Sequence, residues 1–186
     1  MEESVSESEL VARLRRRQAG AFELLYARHR EAIWRFLRRL ASDDQLAADL
    51  FQETWLAAAR HAHRLAEDSR PLPWLYTIAR NKQRNALRLR LFDERREAAS
   101  AAEPLPPATT PDREAELRAR ARAVTLAFDQ LAEAHREVLL LCVVEGLDAP
   151  AAATVLDIRE DAVRKRLSRA RAELLRLTGF DTEESP

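Results

Sequence analysis

The chain has 186 residues, 31 Lys and Arg against 31 Asp and Glu, and 46% hydrophobic residues. That length holds one large or two small domains, and a formal net charge of zero excludes a uniformly basic nucleic-acid binder. One cysteine excludes an intrachain disulfide framework, and no apolar stretch approaches membrane-spanning length. Only three glycines among abundant Ala, Leu, Arg and Glu point to an all-α protein. An acidic amino terminus (Glu2, Glu3, Glu7, Glu9) does not read as a signal peptide, so a cytoplasmic protein without membrane insertion is expected.

In chain order, a short helix around Leu10, Val11 and Leu14 precedes a longer one with Phe22, Leu25, Tyr26, His29, Ile33, Phe36, Leu37 and Leu40 at three- and four-residue steps. Ser42 with Gln45 reads as a capping box opening the next helix, whose inward stripe is Leu46, Ala47, Leu50, Phe51, Thr54 and Ala58. A loop from Arg64 to Leu72 follows. Pro73 then sits in the first turn of a helix with Leu75, Ile78, Ala79, Ala86 and Leu89 on one side. These elements make a bundle over residues 1–96.

Composition changes sharply after Arg96. The stretch EAASAAEPLPPATTPD contains Pro104, Pro106, Pro107 and Pro111, which forbid a continuous helix, and it has nothing with which to build a core. Residues 97–113 therefore read as a linker. A second unit, 114–179, opens with the apolar seam Leu117, Ala121, Val124, Phe128 and Leu131. A helix over His135 to Glu145 stops at Gly146, and it holds Cys142 as a buried thiol. Asp148 caps a short helix, the chain breaks at Asp157-Ile158-Arg159, and a last helix turns Val163, Leu167, Ala170, Leu174 and Leu177 inward. Residues 180–186 form an acidic tail.

Three faces carry chemistry. At about 100° per residue, the last helix presents Arg164, Lys165, Ser168 and Arg169 opposite its core stripe. After a short capped helix and a tight break, this is the pattern of a helix-turn-helix whose second helix enters a DNA groove. The helix from Pro73 shows Thr77, Arg80, Asn81, Arg84 and Arg88, edged by Trp74 and Asn85. Bases beside amides and an aromatic suit phosphate tracking and unpaired bases, although a solvated helix face has the same composition. The helix after Ser42 turns Asp49, Gln52, Glu53 and Leu56 outward, an apolar anchor in a polar rim that fits either a protein-docking face or ordinary surface. No catalytic site, cofactor or metal site is expected. His61 and His63, two residues apart, point to different sides of a helix, and no Gly-rich phosphate loop is present.

Together these faces resemble the bacterial extracytoplasmic-function sigma factors, RNA polymerase sigma factors of the sigma-70 family. Asp49-Leu50-Phe51-Gln52-Glu53-Thr54-Trp55-Leu56 is similar to the segment that docks on the β′ coiled coil of polymerase. Trp74-Leu75-Tyr76-Thr77-Ile78-Ala79-Arg80-Asn81 is similar to the start of the −10 recognition helix. Leu131 through Arg136-Glu137-Val138-Leu139 to Leu177 is similar to the −35-binding domain, including Arg169-Ala170-Arg171.

The resemblance implies an alternative sigma factor. Its first domain would bind core polymerase through Asp49, Gln52, Glu53 and Leu56, and the −10 element through Thr77, Arg80, Asn81, Arg84 and Arg88 with Trp74 and Asn85. Its loop around Glu67, Asp68, Ser69 and Arg70 would take a base flipped from the non-template strand. Its second domain would meet the β flap and set Arg164, Lys165, Ser168 and Arg169 on the −35 element, and an anti-sigma partner would clamp both domains. A stand-alone helix-turn-helix regulator with a helical dimerisation domain is the alternative, and a purely protein-binding helical adaptor is a third. Against the family pattern, Asp157 replaces a turn glycine, Arg159 a capping hydroxyl, Asp161-Ala162 a Gly-Thr pair and Ala152 a large aliphatic. The lost cap costs about 1 kcal/mol.

Overall fold

The fold is drawn from a computed structural model that describes residues 5–94 and 113–179, and every regular element among them is helical. The proline-rich stretch 97–112 and the tail 180–186 lie outside the described residues. Helix α1 (Glu7–Arg15) starts at Ser6, whose hydroxyl accepts from the Glu9 amide at 3.2 Å, and it buries Leu10, Val11 and Leu14. Gly20, at φ 78°, turns the chain through the left-handed region into α2 (Ala21–Leu40). Helix α2 buries Leu25, His29, Ile33, Phe36 and Leu37 on one stripe.

Helix α3 (Asp44–His61) is capped one residue later than the sequence suggests. Asp43, not Ser42, accepts from the Leu46 amide at 2.8 Å, while Ser42 donates to the other Asp43 oxygen at 2.9 Å. A carboxylate outcompetes a hydroxyl at the positive end of a helix. Gln45 bonds instead to Asp49 at 3.1 Å. After a 3₁₀ turn (Ala62–Arg64), α4 (Pro71–Glu94) carries both Pro71 and Pro73 in its first turn, where the missing amides cost nothing. Helix α4 buries Leu75, Tyr76, Ala79, Arg80 and Gln83. Beyond Gln83 no residue through Leu89 is fully buried, and Leu89, expected inside, is 67% exposed.

Helix α5 (Arg113–Gln130) packs on the last helix, but its apolar seam is shorter than its spacing implies. Ala121 and Val124 are exposed, and Ala127 with half-buried Phe128 carries the contact. The Leu117 side chain lies outside the described residues. Helix α6 (Glu133–Leu139) runs into a π-helical turn (Leu140–Val144), in which the Glu145 amide donates to the Leu140 carbonyl at 2.9 Å. The expected single helix to Glu145 therefore widens in its last turn, and Cys142 is half-buried rather than buried. Burial pushes its thiol pKa up.

Asp148 caps α7 (Ala149–Leu156) by accepting from the Ala151 amide at 2.8 Å. Asp157 takes the left-handed turn at φ 54°, a conformation that glycine adopts without a Cβ clash. Helix α8 (Glu160–Thr178) opens at Arg159 with no side-chain cap, as expected from the missing hydroxyl, and closes at Gly179.

The two groups of helices share one apolar cluster that runs from Leu10 through Leu75 and Tyr76 to Val155 and Ala170. On the first group, Tyr26, Phe51 and Trp55 meet edge to face, with centroids 4.8 to 6.4 Å apart. The outward pattern drawn for α3 gave Trp55 no place, yet it is only 7% exposed.

His29, 5% exposed, is held below its ordinary value of 6.5 by burial, which disfavours the imidazolium. In the unfolded chain it protonates first, so stability falls as pH drops below 6.5. His29→Leu is expected to flatten the difference in urea midpoint between pH 7.5 and 5.5. An unchanged difference would place the acid sensitivity on other groups.

Candidate functional site

The outward residues of α3 stand as their spacing requires. Asp49, Gln52, Glu53 and Leu56 are all exposed, Leu56 at 58%. Beneath them Leu50, Thr54 and Trp55 are buried, and Thr54 returns its hydroxyl proton to the Leu50 carbonyl at 2.7 Å. A rigid aromatic floor thus holds a Leu with acids along one ridge. Lys82 of α4 donates to Glu53 at 2.9 Å, which ties this ridge to the next face.

The α4 face divides. Asn81, Asn85 and Arg88 are exposed, and Trp74, Thr77 and Arg84 are half-buried. The Thr77 hydroxyl is spent on the Pro73 carbonyl at 3.0 Å. Arg80, expected on the open face, is instead 5% exposed. It points into the carboxy-terminal helices, where Nε and Nη2 donate to the two Glu137 oxygens at 2.7 and 3.1 Å. Its Nη1 reaches the Val155 carbonyl of α7 at 3.3 Å.

The reason is the packing of α7 on α4, which the linker composition did not foretell. Around it the Tyr76 hydroxyl donates to Glu145 at 2.6 Å, and Arg35 reaches the same oxygen at 3.3 Å. Burial and that carboxylate drive the Tyr76 pKa upward. In the loop before α4, Asp68 is exposed and Ser69 half-buried, while Arg70 donates to the α7 cap Asp148 at 2.9 Å. The Ala151 amide and then Arg70 hold the Asp148 carboxyl below its usual range. One signal in the sequence could have found Glu137: a lone acid sits one turn before Leu140 and Leu141, on the inward face.

On α8, Arg164, Lys165, Ser168 and Arg169 are all exposed on the side away from buried Val163 and Ala170. Arg164 donates to Glu160 at 2.9 Å, and Arg159 pairs with Asp161 at 3.2 Å. Both acids lie in the first turn of α8, where they suit the helix dipole and lower the local positive field. Between the two groups of helices lies a groove of about 880 Å³. Phe128, Val143, Val144 and Leu174 line it on one side and Leu46 and Leu87 on the other, with Arg38, Arg39 and Arg136 among its polar residues. Among the described residues no group of three or more His, Cys, Asp or Glu could hold a metal, and no helix is long and apolar enough to cross a membrane.

Comparison with known proteins gives this geometry a family. Residues 25–90 match Sigma-70 region 2, and residues 121–174 match Sigma-70 region 4. The RNA polymerase sigma factor CarQ of Myxococcus xanthus is 35% identical over 163 residues, covering 86% of this chain and 90% of the relative. The ECF RNA polymerase sigma factor SigL of Mycobacterium tuberculosis is 32% identical over 169 residues, covering 87% and 90%. Among solved structures, CnrH in complex with the cytosolic domain of CnrY superposes with a TM-score of 0.70 at 28% identity, covering 95% of this chain and 99% of that one. The sigma factor RpoE of Bartonella quintana, solved with the anti-sigma factor NepR, shares the fold at TM-score 0.73 and 23% identity over 88% of this chain and 99% of that one. With its helical regions 2 and 4 in order, the chain belongs to the extracytoplasmic-function group of sigma-70-family RNA polymerase sigma factors and acts as an alternative sigma factor in transcription initiation.

Proposed function

We propose that this sigma factor divides its work between residues 1–96, which engage core polymerase and the −10 element, and residues 114–179, which engage the −35 element. The stretch 97–113 joins them, and 180–186 is an acidic tail. The observation that carries this reading is the coexistence of an exposed basic face on α8 and a partly covered basic face on α4 with a separate acid-and-Leu ridge on α3.

Asp49, Gln52, Glu53 and Leu56 dock on the β′ coiled coil. Trp74, Thr77, Arg80, Asn81, Arg84, Asn85 and Arg88 lie along the −10 region. Asp68, Ser69 and Arg70 border the pocket for an unstacked base, whose extraction costs a few kcal/mol that binding at the two anchors offsets. Arg164 and Lys165, near the start of α8, reach base edges, while Ser168 and Arg169 hold phosphates.

The protein acts by binding, without catalysis or a cofactor, in the cytoplasm. An anti-sigma protein is a natural occupant of the apolar groove between the two groups of helices, where Arg38, Arg39 and Arg136 favour an acidic partner. RpoE, similar in fold, was solved with the anti-sigma factor NepR, and CnrH with the cytosolic domain of CnrY.

Core polymerase is expected to start run-off transcripts from a cognate promoter only when this chain is added. Duplex binding by the chain without any initiation would instead favour a stand-alone regulator.

A further inference from the structure

We propose that the acidic segment after α8, residues 180–186, folds back into the groove between the two groups of helices, with Phe180 on its apolar wall and Asp181, Glu183 and Glu184 on its arginines. The inference concerns the free chain and stands whether or not a separate protein also uses that groove. Arg38, Arg39 and Arg136 line it against one acidic residue, Asp129. Arg38 pairs with Asp44. Arg136 gives Nη1 to the Asp129 carbonyl at 3.5 Å, and its buried Nε has no partner among the described residues. Gln83, 6% exposed, also lines the groove, and its buried Oε1 receives no hydrogen bond among the described residues. Buried polar groups of this kind are normally satisfied. A carboxylate would satisfy Arg136 and a peptide N–H would satisfy Gln83, and an acidic peptide brings both.

The end of α8 turns the chain towards this site. Gly179 takes φ 65°, and its amide donates to the Leu175 carbonyl at 3.1 Å. A helix closed by a left-handed glycine reverses its chain, and the next residue commonly packs on apolar residues one turn earlier. Here the next residue is Phe180. The residues one turn earlier are Leu174, which lines the groove, and Leu175, 43% exposed. From Leu174 to Thr178 is about 6 Å of helix, whereas the seven residues 180–186 reach roughly 23 Å when extended. Their three acids come with no base, opposite in sign to the groove. Tethering holds them near the arginines at an effective concentration on the order of millimolar, so a weak contact suffices. An acidic partner entering the same groove must first displace the segment.

The test uses the full chain with Cys142→Ser, spin-labelled at Ser185→Cys and at the exposed position Arg60→Cys on α3, away from the groove. The parent should give one narrow inter-label distance. Two variants change only the segment and leave the helical core untouched: Phe180→Ser, and Asp181→Asn with Glu183→Gln and Glu184→Gln. Both should broaden the distance, as should Arg39→Gln with Arg136→Gln on the groove side. The second readout is the apolar anionic dye 8-anilinonaphthalene-1-sulfonate, which suits apolar walls beside arginines. Its affinity should rise about tenfold in the acid-neutralised variant, the gain expected when roughly nine molecules in ten held the segment docked.

A broad distance in the parent, or one unchanged in both segment variants, would overturn the proposal. A narrow distance that is lost on mixing with excess unlabelled chain would also overturn it, in favour of exchange between two copies. Broadened distances with unchanged dye affinity would mean that the segment docks outside the groove, and the assignment to Arg39 and Arg136 would fall.

Discussion

Phe36→Ala is expected to lower the free energy of unfolding by roughly 3–5 kcal/mol, measured by urea titration. Phe36 has no exposed surface, and its ring meets Tyr76 edge to face at 4.9 Å and 61°. The loss combines the transfer of a whole ring, a cavity between α2 and α4, and an aromatic pair worth about 0.5–1.5 kcal/mol. Neither helix can shift to fill that cavity cheaply. Leu37 and Ile33 fix α2 in the same cluster, and Leu75 and Ala79 fix α4. Phe36→Leu retains most of the volume and should lose markedly less. A loss below about 1 kcal/mol for the alanine variant would mean that the site collapses freely and that the α2–α4 packing is loose. The substitution also removes the support behind Tyr76, whose hydroxyl crosses to Glu145, so the core and the contact between the two groups of helices are linked at one ring.

The helices were legible because their apolar periodicity is strong and their ends carry chemical signals. Asp148 caps α7 as its position implied, Pro71 and Pro73 open α4, and Gly146 takes a positive φ of 69° after the π turn. Where the reading failed, a competing interaction decided. Asp43 displaced Ser42 because a neighbouring carboxylate is the stronger acceptor. Val124 and Leu89 were assigned inward from spacing alone, but spacing cannot tell where a neighbouring helix stops covering a face.

Arg80 shows the limit most clearly. Its neighbours Asn81 and Arg84 follow the helical wheel, yet Arg80 is buried by α7, an element 69 or more residues away along the chain. The sequence places Arg80 on a polar face of its helix and Glu137 on an apolar one. Only the packing of the two groups of helices shows that they satisfy one another.

The double variant Glu53→Lys with Leu56→Ala is expected to weaken binding to core polymerase by 2 kcal/mol or more, roughly thirtyfold or beyond, while helix content and unfolding midpoint stay near those of the parent. Leu56 is 58% exposed on a floor of buried Trp55 and Leu50, the arrangement of an apolar anchor that gains most of its burial on docking. Glu53 beside it carries the charge that would meet a basic partner surface. Stability should barely change. The Lys82–Glu53 bridge is solvent-exposed at its acid end, and bridges of that kind contribute about 0–1 kcal/mol.

Glu53→Gln separates the two effects. It loses the bridge to Lys82 without reversing charge, so it should weaken core binding less than Glu53→Lys does. If the double variant bound core as tightly as the parent with its fold intact, the ridge on α3 would be ordinary surface. The docking face would then have to be sought elsewhere, with exposed Trp34 and Leu24 of α2 and Leu89 of α4 as apolar candidates on the same group of helices.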